Sequence, residues 1–484
     1  MQKYIVEERR EITVLEDCDV LVAGAGTAGV IAAIAAARTG AATVLIEQLP
    51  AVSGTMGNGG LIANCFHSSY TPDHPDCIKV VKGIPEELYD RLIAAGGCPG
   101  YVWTDPEKCP YHRPSQVMQD REVYTEVVYK MLSEAGVKIY THMFLSDVIM
   151  DGGKIDAIVV ESKSGPQAIR AKQFIDCTGD ADLAAHSGCE FLPYDKFPWG
   201  GETDFEWGGN KNNNWGGSVG FFFGMGGIDL VRYVDFAKEQ DLLKEEISEH
   251  PDKDSDEEKY IRIVVDLSKS DALPEGSFLH GCKRILVQSI RGNTAQCISV
   301  IGRGGVDASD VCALTDTELS LRADVLKVAE CLNRYVPGFE HAYVNWTSNQ
   351  IGVRQCRSVI CEYSVTWHDV KYSARFDDEI GMFGFQDFAP IGAEFLMQNK
   401  GYYGLPYRML IPKKSENLLT AGRMNTAEYL PHMSTRNTMC CMVQGQAAGT
   451  AAALCVKHGA SPRELDYKLL RERLLDDNVF IEGA

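Results

Sequence analysis

A glycine-rich turn between an apolar strand and an alanine-rich helix constrains this chain more than any other feature of its sequence. Gly24, Gly26 and Gly29 follow the strand-like segment 19–23 and lead into the helix-like segment 30–39. In a βαβ unit the first glycine permits a tight turn, the second lets the backbone approach a pyrophosphate, and the third lets the helix pack closely on the strand. The pattern therefore predicts a dinucleotide site.

A second apolar strand, 43–47, completes the unit and ends at Glu47. An acid about 20 residues beyond the first glycine is placed to accept hydrogen bonds from both ribose hydroxyls, and its charge repels a 2′-phosphate. The free N–H groups at the start of the helix provide the complementary site for the diphosphate.

The βαβ unit does not by itself separate FAD from NAD, but two later segments favour FAD. Residues 53–60 form a glycine-rich loop directly after the ribose acid, suited to follow the pyrophosphate and the ribityl chain. Residues 174–182 place a small polar turn, with Thr178 and Gly179, at the end of another strand. A second glycine-rich stretch, 298–307, has Asp307 where the third glycine would stand, and we interpret it as a simple turn.

Charge and composition exclude several classes of function. The formal net charge of −20 argues against a nucleic-acid partner and against an anionic membrane surface. Apolar stretches such as 30–37 are too short to span a bilayer. The 16 cysteines are scattered and form no C-x-x-C motif, so a cytoplasmic protein without a metal site is expected.

The rest of the chain suggests an inserted domain. Residues 1–18 are expected to form a hairpin, 66–115 an irregular loop, and 245–259 a solvated helix or loop. Strands are expected at 137–150, 154–162, 167–176 and 282–302, and helices over 315–335 and 351–365. The predicted fold is α/β, with a Rossmann-like FAD-binding domain (a parallel sheet with helices) plus an inserted α+β substrate or cap domain. We assign 1–190 and 385–484 to the first domain and 191–384 to the second, with helix 351–365 at their interface.

These motifs resemble the FAD-dependent oxidoreductase family related to the fumarate reductase and succinate dehydrogenase flavoproteins, and within it a bacterial group of largely unassigned substrate. The resemblance rests on segments 19–47, 176–182, 352–363 and 406–453. It implies FAD as the cofactor, with the small-residue helix after Arg423 pointing its N-terminal end at the flavin pyrimidine ring. The cofactor-binding residues expected from the motifs and the resemblance are Gly24, Gly26, Thr27, Ala28, Gly29, Glu47, Gln48, Gly54, Thr55, Met56, Gly59, Gly60, Thr178, Gly179, Asp180, Gly422, Arg423, Gly445, Gln446 and Ala447.

Few residues are candidates for the chemistry. His432 and Arg436 precede the cofactor helix, and His432 is either an acid/base or a structural group. Arg354, with Arg357, either binds an anionic substrate or forms an internal salt bridge. The resemblance also raises His67 as an attachment point for covalent FAD.

Three hypotheses of function remain open at this stage. The first is an FAD-dependent oxidoreductase that transfers a hydride between flavin N5 and a small organic substrate, as dehydrogenase or reductase. The second is a flavin-carrying electron-transfer subunit of a larger redox complex, and the third is an NAD-dependent dehydrogenase. The expected partners are a small-molecule substrate, an external electron acceptor or donor, and further copies of the chain in a homo-oligomer.

Overall fold

The computed structural model describes residues 11–58, 65–71, 76–103, 115–192, 219–249, 260–290, 294–385, 397–425 and 429–482. The predicted cofactor residues Gly59 and Gly60 lie outside these ranges. Elements are numbered in chain order. The helices are α1 Thr27–Arg38, α2 Gly54–Gly57, α3 Ile84–Ala94, α4 Arg121–Glu134, α5 Asp182–His186, α6 Leu230–Glu239, α7 Val311–Tyr335, α8 Trp367–Lys371, α9 Tyr429–Thr435, α10 Thr438–His458 and α11 Tyr467–Asp476.

The first large sheet contains the dinucleotide unit predicted from the glycine turn. Its order is β5-β2-β1-β8-β7-β6, and a seventh strand, β20, also pairs with β8. Strands β5, β2, β1, β8 and β20 are parallel, whereas β6 and β7 are antiparallel additions. The strands are β1 Thr13–Ala23, β2 Thr43–Ile46, β5 Lys138–Tyr140, β6 Phe144–Asp151, β7 Lys154–Ser162, β8 Gly165–Asp176 and β20 Leu418–Thr420.

Helices α1 and α10 cross each other in the core beside this sheet, and glycines permit the close approach. A Cβ on Gly445 would lie 2.3 Å from the Ala28 carbonyl oxygen, and one on Gly449 would lie 2.0 Å from that of Ala32. Helix α10 is long and apolar enough to cross a membrane, which was not expected from the sequence. However, 94% of its most apolar 18-residue stretch is buried inside the protein. Its hydrophobicity is thus accounted for by core packing.

The second large sheet is antiparallel and belongs to the inserted part of the chain. Its order is β11-β12-β13-β14-β10-β15, and β16 pairs with β10. Helices α6 and α7 cover one face and form a separate hydrophobic core with it. The strands are β10 Val219–Gly226, β11 Leu243–Glu249, β12 Tyr260–Val265, β13 Ile285–Ser289, β14 Thr294–Arg303, β15 Tyr343–Thr347 and β16 Gly352–Val353.

Three two-stranded ribbons complete the description. They are β3 Tyr101–Trp103 with β4 Ser115–Val117, β9 Phe191–Leu192 with β17 Ser358–Val359, and β18 Glu379–Phe383 with β19 Tyr403–Pro406. The α/β class, with a Rossmann-like domain and an additional domain, is confirmed.

Four local predictions were wrong. Residues 351–365 contain β16 and β17 instead of a helix, and residues 243–249 form strand β11 instead of a solvated helix or loop. Segment 66–115 includes the regular helix α3, and 13–18 belong to the continuous strand β1, not to a hairpin. Strands β1, β16 and β17 pair with distant segments of the chain, whereas β11 pairs with the next strand, β12, and such pairing overrides local propensity.

Residues just before the predicted domain boundary pack with the first sheet. Val365, Val370, Ile380 and Met382 pack in the core of the first sheet with α1 and α10, although the predicted boundary placed them in the inserted domain. The reason is that β18 pairs with β19 and packs on α10.

Candidate functional site

The first glycine turn has the geometry that a diphosphate requires. Gly24 has φ +93°, and a Cβ there would lie 2.5 Å from the carbonyl oxygen of Cys177. A Cβ on Gly29 would lie 1.8 Å from the Gly24 carbonyl oxygen. Helix α1 starts after Gly26, and neither a side-chain cap nor an acidic residue occupies its first turn. The N-terminal N–H groups and their partial positive charge therefore suit an anion.

Glu47 follows β2 at the same edge of the sheet. Its Oε2 accepts a hydrogen bond from the Ala25 N–H at 2.8 Å, and its Oε1 accepts one from the Leu49 N–H at 2.8 Å. Each carboxylate oxygen keeps a lone pair for a further donor. Burial raises the pKa of this carboxyl, against the effect of the backbone donors. Glu47 thus anchors the glycine turn and still has acceptor capacity for a ligand.

A second turn lies beside the first because β8 is parallel to β1. Ala23 is level with Asp176 in the sheet, so the residues after both strands meet at one edge. The Asp176 carboxylate accepts hydrogen bonds from the Thr178 N–H at 2.9 Å and from the Ala184 N–H at 2.8 Å. Burial raises the pKa of Asp176 to about 6. The carboxylate fixes the turn that carries Gly179.

These turns border one cleft, which collects most of the predicted cofactor residues. Twelve of them line it: Gly24, Gly26, Thr27, Ala28, Glu47, Gln48, Gly54, Thr55, Thr178, Gly179, Gly422 and Arg423. Gly29, Met56 and Asp180 do not line it, although Gly29 packs directly against Gly24.

The far end of the cleft is built by the residues after β20. The Gly422 N–H donates to Gln444 Oε1 at 3.0 Å, which ties this turn to α10. Arg423 donates through Nη2 to Asp180 at 2.7 Å. Its Nη1 is buried and has no hydrogen-bond partner within the described part of the chain. Because a buried unpaired guanidinium nitrogen is costly, this atom marks a position for an acceptor group of a ligand.

Three of the predicted cofactor residues belong to α10 and lie outside the lining of the cleft. Gly445, Gln446 and Ala447 do not line the cleft. Gly445 packs on Ala28, and Gln446 Oε1 accepts a hydrogen bond from the Ile84 N–H at 2.9 Å. The residues of α10 that do line the cleft come from its first turn, namely Thr438 and Cys441. The glycines of this helix serve its close packing on α1.

Of the three predicted catalytic residues, only Arg436 lines the cleft. His432 is 1% exposed, and its Nε2 lies 3.0 Å from the Arg423 carbonyl oxygen, so the ring donates there. Burial and the Arg436 charge lower the pKa of His432 well below its usual value. Arg354 lies next to β16 and does not border the cleft, whereas Arg357 pairs with Asp182 at 2.8 Å. The structure places His432 behind Arg423 and so favours a positioning role.

His67 is placed away from the cleft as well. Its Nδ1 lies 2.6 Å from Ser115 Oγ, and its ring packs against Tyr101 and Trp103. Burial, together with the Lys79 charge, lowers the pKa of His67 to about 4. The ring is part of a polar and aromatic cluster beside the β3–β4 ribbon.

Several cleft residues were not expected from the sequence. Met143, Phe144 and Leu145 line it from the start of β6, and Gln350 lines it from the inserted domain. Asn349, the residue before Gln350, makes two hydrogen bonds to Asn58, each 2.9 Å long. Its N–H donates to the Asn58 carbonyl oxygen, and its Nδ2 donates to Asn58 Oδ1. No motif marks these positions, because they reach the cleft only through tertiary contacts.

Comparison with known proteins identifies the family. The model of the family described as FAD dependent oxidoreductase matches residues 19–474, and no curated protein matches the chain. Among solved structures, a geranylgeranyl bacteriochlorophyll reductase-like protein from Thermoplasma acidophilum aligns at 13% identity and a TM-score of 0.42, covering 96% of this chain and 84% of that one. A p-nitrophenol 4-monooxygenase from Pseudomonas putida aligns at 12% identity and a TM-score of 0.46, covering 96% and 85%.

Proposed function

Because the chain belongs to the FAD dependent oxidoreductase family, and is therefore an FAD-dependent oxidoreductase, we propose that it transfers a hydride between the bound flavin and a small organic substrate. The family decides the choice between FAD and NAD that the sequence motifs left open. Bound FAD supplies a ring that accepts or releases a hydride at N5.

The observation that carries the cofactor assignment is Arg423, which lines the cleft and whose buried Nη1 has no hydrogen-bond partner among the described residues. The glycine turns at Gly24 and Gly54 provide backbone without side chains where a dinucleotide must approach closely. Glu47 offers acceptors for ribose hydroxyls, and the N-terminus of α1 offers N–H donors for the diphosphate. The residues present therefore fit FAD.

Arg436, Thr438 and Cys441 form the end of the cleft that we assign to the flavin ring. Arg436 and the first turn of α10 place positive charge and N–H dipoles there, and these stabilise the negative charge of a reduced ring. Burial raises the pKa of the Cys441 thiol to about 12, so it stays protonated and is neither a nucleophile nor a redox thiolate. We therefore assign the thiol to packing and Arg436 to charge stabilisation.

The direct test is anaerobic bleaching of the flavin. The purified protein, loaded with FAD, is mixed with sugars, hydroxy acids, amines and enoates, and absorbance is followed at the flavin bands. A dehydrogenase bleaches with one class of donor, whereas a reductase that has been reduced chemically regains its colour with one class of acceptor. If no compound acts in either direction and only a protein partner exchanges electrons with the flavin, the hydride-transfer proposal is wrong.

A further inference from the structure

Strands β15 and β16 pair with the same neighbour, β10, and the chain bulges between them. Thr347 in β15 is opposite Phe223, whereas Gly352 in β16 is opposite Gly220. Five steps along the one strand therefore match three along β10, so the chain holds two extra residues here. Bulges are common beside active sites, where they aim a side chain away from the regular direction of the strand. The bulge, residues 348–351, therefore marks a place where this sheet serves a neighbouring site.

The bulge carries Gln350 to the candidate FAD cleft. Among the described residues that line this cleft, Gln350 alone comes from the inserted domain, and the others belong to the FAD-binding domain. Its side chain is half-buried and makes no hydrogen bond to a described residue. A side-chain amide has two donors and one acceptor, and in Gln350 these are available to a ligand of the cleft.

Two side chains of α7 hold the bulge in place. Arg322 Nη2 donates to the carbonyl oxygens of Ser348 and Asn349, each at 3.0 Å. The Ile351 N–H donates to Glu318 Oε2 at 2.8 Å, and the Glu318 carboxylate pairs with the Arg322 guanidinium at 2.6 Å. Because the backbone is fixed on both sides of residue 350, a ligand that binds there orders little more than one side chain.

The bulge is also bound directly to the FAD-binding domain. Asn349 makes its two hydrogen bonds to Asn58, which is 3% exposed. The Asn58 N–H donates in turn to the Gly54 carbonyl oxygen, and the Asn58 Nδ2 donates to that of Ala51, both at 2.8 Å. The bulge and the glycine-rich loop after Glu47 are therefore connected by hydrogen bonds at the rim of the cleft.

The position of Asn58 indicates which half of FAD lies near Gln350. The loop starts beside Glu47, which we assign to the adenosine ribose, and reaches Gly54, which faces Gly26 at the phosphate end. Asn58 follows after one more turn, at the end of α2. Along this loop the bulge is thus attached beyond the phosphates, on the side of the ribityl chain and the flavin.

We propose that the Gln350 amide binds the ribityl chain of FAD, so that the inserted domain takes part in holding the cofactor. The ribityl hydroxyls donate and accept hydrogen bonds, which matches both atoms of the amide. Asn349, Arg322 and Glu318 are positioning residues that act through Gln350. The inference rests on FAD as the cofactor and requires neither the substrate nor the direction of the proposed hydride transfer.

The first experiment compares FAD with ADP, which lacks the ribityl chain and the flavin. Calorimetric titration of the full-length apoprotein measures both affinities. Gln350→Ala is expected to weaken FAD binding about tenfold and to change ADP binding less than about twofold, whereas Glu47→Ala weakens both. The matched control is Gln240→Ala, at an exposed glutamine of the inserted domain that does not line the cleft, and it should leave both affinities unchanged.

Two results of this titration overturn the proposal. If Gln350→Ala binds FAD as tightly as the parent, the amide does not contact the cofactor, and a rise in the half-saturating substrate concentration would then assign it to the substrate. If FAD and ADP lose affinity equally, the contact lies at the adenosine diphosphate half. Thermal unfolding of each apoprotein shows that the variants are folded.

A double-mutant cycle tests the positioning role of Asn349. Asn349→Ala is expected to weaken FAD binding about threefold in the parent and to cause no further loss in Gln350→Ala, because it acts only through that side chain. Additive losses in the double variant would mean that Asn349 acts on the glycine-rich loop by itself, and they overturn this part of the proposal.

Amide hydrogen exchange gives a readout that does not depend on affinity. The Asn349 N–H donates across the two domains, so its exchange reports on their contact. Saturating FAD is expected to slow exchange in a peptide covering 348–351 more than saturating ADP does, and Gln350→Ala should remove this difference. Equal protection by FAD and ADP in the parent overturns the proposal. Neither this measurement nor the titrations involve turnover, so a failure of the hydride-transfer proposal would leave them unaffected.

Discussion

Gly26 and Gly54 face each other backbone to backbone across the candidate FAD cleft. A Cβ on Gly54 would lie 2.5 Å from the Gly26 Cα, closer than any real contact of that kind. Gly54 also has φ +52°, a conformation that disfavours a side chain. The glycine turn after β1 and the loop after Glu47 are thus fitted to each other, and both are needed to shape the phosphate end of the cleft.

We expect Gly54→Ala to weaken FAD binding at least tenfold, because the new methyl group must push the two turns apart. Gly136→Ala is the matched control, since Gly136 also has a positive φ (+76°) but no atom lies within 4 Å of the position that its Cβ would take. Both variants should lose about 1 kcal/mol of stability from backbone strain. Fluorescence titration of the apoprotein with FAD measures the difference, and equal affinities in the two variants would contradict the close fit.

Glu47→Ala should weaken FAD binding roughly 10–100-fold, the loss expected when hydrogen bonds to a charged acceptor are removed. The variant also loses the anchors to the Ala25 and Leu49 N–H groups, so thermal unfolding of the apoprotein must be recorded beside the titration. Glu416→Ala, which removes an exposed carboxylate paired with Lys154, provides the control. If Glu47→Ala retains FAD as tightly as the parent, the ribose assignment is wrong.

Arg423→Lys tests the unpaired guanidinium nitrogen. Lysine keeps a positive charge for Asp180 but cannot present a second planar donor to the cleft. We expect FAD affinity to fall about tenfold with little change in unfolding temperature. The control is Arg357→Lys, which alters the neighbouring pair with Asp182 at a residue that does not line the cleft. A fall in affinity of the same size in both variants would mean that Arg423 acts only through the charge cluster.

The pKa of Asp176 predicts a pH effect on stability. Burial raises this pKa from 3.8 to about 6 in the folded protein, so the folded state binds a proton between these values and the unfolded state does not. The contribution to stability is fully present below about pH 4 and is lost as the pH rises through about 6. On lowering the pH from about 7 to about 5, the parent should gain about 1 kcal/mol relative to Asp176→Asn. Urea unfolding at both pH values checks this, and a constant difference would refute it.

His432→Gln separates a positioning role from acid/base chemistry. Glutamine can still donate to the Arg423 carbonyl oxygen, and the pKa of His432 is held too low for it to carry a proton at neutral pH. We therefore expect the pH profile of flavin reduction to keep its shape, while His432→Ala weakens FAD binding through Arg423. The disappearance of one limb of the pH profile in His432→Gln would restore the histidine as an acid or base.

The sequence determined the dinucleotide unit because the information is local. Three glycines, two apolar strands and one helix lie within about 30 residues. Gly24 is required by its contact with the turn after β8 and Gly29 by its contact with Gly24, whereas Gly26 faces Gly54, which lies beyond the unit. Glu47, Thr178 and Gly179 could be found in the same way, since each follows the end of a parallel strand and such ends meet at one edge of the sheet.

Only the tertiary structure decided which residues reach the cleft from elsewhere. Gly445 and His432 looked like cofactor and catalytic residues from their positions along the chain, but α10 crosses α1 at Gly445, and the ring of His432 donates to the Arg423 backbone. Gln350 carries no motif. It reaches the cleft because the inserted domain packs on the FAD-binding domain through the hydrogen bonds of Asn349 to Asn58, and this contact exists only after the chain has folded.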